Sequence, residues 1–332
     1  MSGPLVHVLA GDIGGTKTLL QIAEFDNGTP RVLAEQRFDS RAYPGLAPMA
    51  YEFLASQGRL GIERACFGVA GPVTGDAAHQ QASLTNLPWR LDSDELAKVL
   101  GLARVRLIND FQAVGYGIEG LERDALDALQ DVPQEFGGSR VVIGAGTGLG
   151  VAFLHRVGLH YEVFPTEAGH MDFAPTDEDQ DDLLAWLRRQ HERVSYERVV
   201  SGMGIEDIFR FFLEREGMAD DPLLNAPDIP AAVAAAAASD RHHAIAERTM
   251  ALFVNAYGSV AGNLALAALA RGGVYIAGGI APKVLPLLKD GRFMVAFNRK
   301  GRMTPLTQAM PVYVITDPKV GLLGAALAAR RL

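Results

Sequence analysis

The sequence predicts an α/β protein whose core is duplicated in two halves with a cleft between them. Strand-like and helix-like segments alternate through the first half, which is the pattern of an α/β domain. A strand followed by a glycine-rich turn and a further strand occurs twice, beginning near residue 5 and near residue 141. The 332 residues are also long for one hydrophobic core, since single cores stop growing near ~250 to 300 residues. We expect a small domain of residues 1–120, completed by the C-terminal helix at about 312–332, and a large domain of residues 121–311 with helical insertions.

Hydrophobic periodicity and turn residues place the individual elements. In the first half, strands are predicted at 5–10, 18–25, 31–38, 64–69 and 105–108, and helices at 46–57 and 93–100. In the second half, strands are predicted at 141–144, 151–154, 274–277 and 311–315, and helices at 177–190, 204–216, 230–239, 250–270 and 319–331.

Composition and charge restrict the class of protein. The chain carries 31 basic and 39 acidic residues, a net charge of −8, so we expect no binding to nucleic acid. Cys66 is the single cysteine, which excludes an internal disulfide framework and a multi-cysteine zinc site. No basic segment precedes the apolar run at 5–10, so we expect no signal peptide and a cytoplasmic location.

One segment has the length of a membrane span. Residues 250–270 contain no charged side chain, and Gly258 and Gly262 form a G-x-x-x-G pattern. Alanines and the polar residues Asn255, Ser259 and Asn263 favour a buried helix over a membrane helix. Its small residues would allow close packing on a sheet or on a partner subunit, which makes a homodimer plausible.

The first glycine-rich turn looks at first sight like a phosphate-binding P-loop. A P-loop has glycine before its lysine and a helix after it, but Thr16 stands there, and a β-prone run closed by Asn27 and Gly28 follows. The turn therefore joins two strands. Its glycines can adopt positive φ and let backbone N–H groups approach an anion, and Asp12 could hold Mg²⁺ through water. An ordinary hairpin turn is the alternative.

The second glycine-rich turn follows the strand at 141–144. It is not a dinucleotide fingerprint, because Leu149 stands where the third glycine would be and the next residues look like a strand. It therefore repeats the construction of the first turn. Two such turns, one in each half, could clamp the two ends of a polyphosphate.

The order of the motifs resembles the superfamily of sugar kinases, Hsp70 and actin, which implies duplicated actin-like ATPase domains of the ribonuclease H type. Within it, the segments 84–89, 109–113, 166–170 and 196–202 resemble the bacterial glucokinases of the non-ROK type, over essentially the whole chain. ROK sugar kinases carry several cysteines around a structural zinc, and a chain with Cys66 alone cannot build that site.

The resemblance implies a role for each matched residue. It makes Asp110 the catalytic base that accepts the proton of the attacking hydroxyl. Asn109 and Asp110 could equally cap a helix, and the segment after the strand at 274–277 could be a plain turn. The residues implied to bind sugar are Asn86, Asn109, Asp110, Glu167, His170 and Glu197. Those implied to bind the nucleotide are Gly11, Asp12, Ile13, Gly14, Gly15, Thr16, Lys17, Gly146, Thr147, Gly148, Gly278 and Gly279, with Asp12 also near Mg²⁺.

The resemblance implies an ATP-dependent glucokinase that transfers phosphate in line to the 6-hydroxyl of glucose, with ATP and Mg²⁺ as cofactors. A kinase of another hexose on the same fold is the first alternative. A sugar-responsive regulator is the second, but such proteins usually add a helix-turn-helix, and the first strand begins at Leu5. An actin-like filament or chaperone ATPase is the third, and it would hydrolyse ATP without sugar.

Overall fold

The computed structural model describes residues 5–26, 30–58, 60–84, 87–218 and 220–332. The chain divides into two compact units, one of Met1–Arg123, Tyr161–Pro165 and Asp317–Leu332 and one of Asp124–His160 and Thr166–Thr316. The predicted sugar ligand Asn86 and the turn residues Asn27 and Gly28 lie outside the described residues.

The regular elements of the described chain are as follows. The strands are β1 (Val6–Ile13), β2 (Lys17–Phe25), β3 (Arg31–Asp39), β4 (Arg64–Val69), β5 (Val73–Gly75), β6 (Gln80–Ser83), β7 (Arg90–Asp92), β8 (Arg104–Asn109), β9 (Leu126–Gln130), β10 (Arg140–Ala145), β11 (Leu149–Val157), β12 (His160–Thr166), β13 (Gly273–Ala277) and β14 (Val312–Ile315). The helices are α1 (Leu46–Ser56), α2 (Ser93–Leu100), α3 (Asp110–Gly117), α4 (Glu178–Leu187), α5 (Gly202–Arg215), α6 (Ile229–Ala237), α7 (Ala244–Ala268), α8 (Leu285–Leu288), α9 (Arg292–Asn298), α10 (Thr304–Gln308) and α11 (Val320–Arg330).

The main sheet of the first unit has the order β3-β2-β1-β4-β8. β1, β2 and β3 form an antiparallel meander, while β4 and β8 run parallel to β1. Residues 8–11 and Ile13 of β1 are buried, as expected for a central strand that is covered on both faces. A smaller antiparallel sheet, β5-β6-β7, belongs to the same unit.

In the second unit the strands of the sheet have the order β11-β10-β13-β14-β9. Its central strand β10 pairs antiparallel with β11 and parallel with β13, and β13 is parallel to β14. These relations repeat those of β1 with β2, β1 with β4 and β4 with β8. The duplicated α/β core predicted from the two strand-turn-strand segments is therefore confirmed.

One predicted boundary differs from the structure. β1 continues to Ile13, so Gly11 and Asp12 lie in the strand, because each pairs with β2 on one side and β4 on the other. The strand predicted at 311–315 and the helix predicted at 319–331 are confirmed as β14 and α11. α11 packs closely on α3, where Gly324 leaves no room for a Cβ beside the carbonyl of Ala113.

The uncharged segment forms the core of α7. This is the one described helix with the length and composition of a membrane span, and most of that apolar stretch is buried inside the protein. Gly258 and Gly262 face the backbone carbonyls of Phe293 and Phe297 in α9, so closely that a Cβ at either glycine would clash. The buried-helix interpretation is confirmed, and the glycine pair serves packing within the chain.

Candidate active site

The first glycine-rich turn joins β1 and β2, as predicted, and is closed by a hydrogen bond from Gly14 N to Lys17 O of 3.0 Å. Its glycines do not have positive φ, contrary to the role expected for them. Gly11 is required for packing instead, since a Cβ there would lie 2.6 Å from Cδ1 of Phe67. Ser40 closes the outside of the turn, and its hydroxyl donates to Gly14 O at 2.8 Å.

Asp12 and Asp110 lie near the carboxyl ends of β1 and β8, on either side of β4. Asp12 is the ladder partner of Gly68, and Gly68 is the partner of Ile108, two residues before Asp110. A Cβ at Gly68 would lie 2.9 Å from Cβ of Ala113 and 3.9 Å from Cα of Asp110. Gly68 therefore lets the start of α3, with Asp110 and Ala113, approach β4 closely.

Asn109 and Asp110 are the N-cap and first residue of α3. Asn109 Oδ1 accepts from Phe111 N at 2.9 Å, and its Nδ2 donates to Gly71 O at 3.3 Å. Asp110 Oδ1 also accepts from Phe111 N, at 2.9 Å. The capping interpretation is thus confirmed, and a carboxylate in the first turn of a helix complements the helix dipole.

Burial is the main cause that raises the pKa of Asp110 to about 6, and repulsion by Asp12 adds to it, while hydrogen bonding from Phe111 N opposes it. Burial likewise raises the pKa of Asp12, which the charge of Lys17 partly offsets. Two buried carboxylates with raised pKa values are hard oxygen donors that a divalent cation would stabilise. This part of the first unit therefore fits a Mg²⁺ ion.

The second glycine-rich turn follows β10 in the second unit. Gly146 N donates to Gly148 O and Gly202 N donates to Gly146 O, both at 2.8 Å. A Cβ on Gly148 would clash with the carboxylate of Glu197, whose Oε2 accepts from Leu149 N at 2.9 Å. Nothing lies within 4 Å of a Cβ built on Gly146. This turn is therefore open at Gly146 and closed at Gly148.

Tyr257 of α7 fixes the strand end that leads into this turn. Its buried hydroxyl accepts from Ala145 N at 3.2 Å and donates to Ile143 O at 3.3 Å. Gly278, directly after β13, has φ +83° and lies against Ala145 O, where a Cβ would clash. A Cβ at Gly279 would meet nothing within 4 Å. The two glycine segments of this unit thus meet at Ala145.

Three predicted sugar ligands meet in the second unit, with His170 in the middle. His170 Nε2 lies 3.9 Å from Glu167 Oε2, and its Nδ1 lies 3.8 Å from Glu197 Oε1. The side chain of Glu167 is 85% exposed and that of His170 is 54% exposed, whereas Glu197 is 23% exposed. The cluster therefore presents two carboxylates and an imidazole to solvent.

Backbone pairing brings these distant residues together. Asp172 and Ser195 form an isolated antiparallel bridge, and Tyr196 N donates to Met171 O at 2.9 Å. Arg193 donates to the carbonyl of His170 at 2.7 Å. The short 3-10 turns Ala168–His170 and Tyr196–Arg198 are consequently held side by side.

Comparison of the sequence with known proteins identifies the family of this chain. The family model described as Glucokinase matches residues 9–332. A curated glucokinase of Nostoc punctiforme (strain ATCC 29133 / PCC 73102) is 45% identical, over 98% of this chain and 99% of its own. The chain belongs to the glucokinase family.

Solved structures agree with this membership in the glucokinase family. A glucokinase from an Antarctic psychrotroph has a TM-score of 0.86 and 29% identity, over 98% of this chain and 99% of its own. A ROK family glucokinase from Streptomyces griseus, in complex with glucose and AMPPNP, has a TM-score of 0.63 and 20% identity, over 98% of this chain and 100% of its own, and shows the shared fold alone. Actin-like ATPase architecture and kinase activity follow from membership in the glucokinase family.

Three residues that shape these parts of the protein were missed from the sequence. Ser40, Tyr257 and Arg193 each act through backbone carbonyls or amides of another segment. Such contacts leave no pattern in the chain, because the partners are between 23 and 114 residues away. The one signal for Ser40 in the sequence is its place two residues after the strand predicted at 31–38.

Proposed function

We propose that this protein transfers the γ-phosphoryl group of ATP in line to the 6-hydroxyl of glucose, with Asp110 as general base. The pKa of Asp110 near 6 supports this assignment, because such a group is mostly ionised at neutral pH and still basic enough to accept a proton. A carboxylate with an ordinary pKa would be a weaker base by roughly 100-fold in proton affinity.

The contacts of Asp110 suggest how it would act. Phe111 N–H donates to Oδ1 and the side chain of Asn109 also bonds the carboxyl, and these bonds would hold Asp110 in place while it accepts the proton of the sugar hydroxyl. General-base catalysis contributes ~10²- to 10⁴-fold. The larger part of the acceleration is therefore assigned to positioning of the two substrates and to neutralisation of phosphate charge.

The two glycine-rich turns are proposed to bind the nucleotide, with backbone N–H groups directed at the phosphates. Asp12 is proposed to hold Mg²⁺ through water, and the ion would supply charge neutralisation for the phosphates. Lys17 stands next to the first turn and adds a positive charge. The proposed nucleotide residues are Gly11, Asp12, Ile13, Gly14, Gly15, Thr16, Lys17, Gly146, Thr147, Gly148, Gly278 and Gly279.

Glucose is proposed to bind to the carboxylates of Glu167 and Glu197 and to His170, which together can accept and donate hydrogen bonds. Asn109 is proposed to bind a sugar hydroxyl as well, with a side chain that also hydrogen-bonds Gly71 O and the carboxyl of Asp110. Asn86, outside the described residues, remains a proposed ligand on the resemblance of its segment alone.

Further properties are proposed on the same basis. They are a cytoplasmic location, a homodimer, no binding to nucleic acid or membrane, membership in the non-ROK branch, and a small domain of residues 1–120 and about 312–332 beside a large one of 121–311. The net charge of −8 supports the absence of nucleic-acid binding. The single cysteine supports the cytoplasmic location and membership in the non-ROK branch.

A coupled assay of ADP release with Mg-ATP, with and without glucose, tests the function. We expect glucose-dependent release that falls at least ~10²-fold in Asp110→Asn. Asp94→Asn is the matched control, because Asp94 is an exposed acid in the first turn of α2 in the same unit. Release without sugar, or full activity of Asp110→Asn, would contradict the proposal, and mannose, fructose and glucosamine as acceptors test the choice of hexose.

A further inference from the structure

Ser40, which lies outside the turn between β1 and β2, makes two hydrogen bonds to the backbone of that turn. Ser40 Oγ donates to Gly14 O at 2.8 Å, and Ser40 N donates to Thr16 O at 3.0 Å. Both carbonyls belong to the turn proposed to bind phosphate. A peptide unit is planar and trans, so its C=O and the following N–H point in opposite directions. Ser40 therefore fixes the N–H of Gly15 and of Lys17 to point away from itself.

Hydrogen bonds hold the hydroxyl of Ser40 in one orientation. Its side chain and that of Thr18 are fully buried, and the two hydroxyl oxygens are 3.0 Å apart. A serine hydroxyl has one hydrogen, and that of Ser40 is given to Gly14 O, so Thr18 must be the donor to Ser40. The chain of bonds from Thr18 to Ser40 to Gly14 has a single direction.

The segment around Ser40 is a rigid support. Ser40 begins a 3-10 turn directly after β3, and Asp39 caps that turn by accepting from Arg41 N at 3.0 Å. The neighbouring Phe38 is buried and packs edge-on against Tyr43 and Phe53. The position of the Ser40 hydroxyl is therefore set by the core of the unit and is independent of any ligand.

We propose that Ser40 is a positioning residue for ATP, which orders the amides of the first turn before the nucleotide binds. The inference rests on the proposed function, since it takes this turn as a phosphate site. Without the hydroxyl, Gly14 O loses its partner and the peptide between Gly14 and Gly15 is free to rotate. In that variant the nucleotide must itself order the amides of the turn when it binds, which lowers its affinity.

The test compares Ser40→Ala with Ser93→Ala in steady-state kinetics and in calorimetric binding of Mg-ADP. Ser93 is the matched control, because it is a buried serine of the same unit whose hydroxyl accepts from Gln80 N at 3.0 Å. We expect Ser40→Ala to raise the KM for ATP and weaken Mg-ADP binding about 10-fold. The KM for glucose and the kcat should stay within about threefold. Ser93→Ala should leave all of these unchanged.

Thr18 supplies the second pair of variants, which serves if Ser40→Ala does not fold. Thr18→Val removes the hydroxyl that donates to Ser40, so it should also raise the KM for ATP. Thr18→Ser keeps that hydroxyl, so its KM for ATP should equal that of the wild type. An unchanged KM for ATP in Ser40→Ala, with stability lost as in Ser93→Ala, overturns the inference while the proposed function stands. A wild-type protein that neither binds Mg-ADP nor phosphorylates glucose overturns both.

Discussion

Asp12 and Asp110 lie on opposite sides of strand β4, and the repulsion between their carboxylates adds to the burial that is the main cause of the raised pKa of Asp110. Both acids come at the ends of parallel strands, so backbone geometry determines their proximity. The repulsion between the two carboxylates destabilises the folded protein, and a bound cation or a proton on one carboxylate removes it. This arrangement makes the stability of the protein depend on pH.

Asp110→Asn should make the protein more stable at pH 7.5. The folded protein holds the Asp110 proton more tightly than the unfolded chain, because the pKa rises from 3.8 to about 6. The unfolding free energy therefore falls as pH rises from about 4 to about 6, by at most about 3 kcal/mol. Asparagine removes this loss while its Oδ1 can still accept from Phe111 N. Urea denaturation of both proteins at pH 7.5 and pH 4 measures the effect, which should disappear at pH 4; equal destabilisation at both pH values would contradict it.

Alanine at two glycines of the second turn should separate glucose binding from nucleotide binding. Gly148→Ala forces the carboxylate of Glu197 away and breaks its bond to Leu149 N, so the KM for glucose should rise about 10-fold or more. Gly146→Ala enters open space, so it should leave the KM for glucose unchanged and affect only ATP.

Steady-state kinetics and thermal unfolding of both variants give the answer. Glu197 is a flexible side chain, so Gly148→Ala should still fold, with a thermal midpoint near that of the wild type. If both variants change the KM for glucose equally, Gly148 is not specifically matched to Glu197.

Tyr257→Phe should destabilise the second unit. The variant keeps the ring but deletes a buried hydroxyl that bonds both Ala145 N and Ile143 O. Each of these two buried backbone groups then loses one hydrogen bond, which costs about 1 to 3 kcal/mol. Urea denaturation measures this loss, with Tyr51→Phe as the control because Tyr51 is 62% exposed. Equal stability of the two variants would show that Ala145 N and Ile143 O find other partners.

Sequence patterns were sufficient to predict those elements of the fold that depend on neighbouring residues. The strand-turn-strand segments, the buried character of α7 and the helix start at Asn109 were all predicted, because alternation, alanine content and capping chemistry are encoded in neighbouring residues. The turn glycines were assigned the wrong physical role. Positive φ is a local property, but the clash of a Cβ at Gly11 with Phe67 depends on a residue of β4 that lies 56 positions away along the chain.

The α/β class, the duplication, the resemblance to the glucokinase family and the candidate residues Asp110, Glu167, His170 and Glu197 could all be predicted from the sequence. Which of these groups share an environment could not. The pairing of β1, β4 and β8 places Asp12 near Asp110, where burial and then repulsion by Asp12 raise the pKa of Asp110, and the bridge of Asp172 to Ser195 brings the proposed sugar ligands of the second unit together. Both effects depend on distance and burial, which a linear chain does not specify until its sheets have formed.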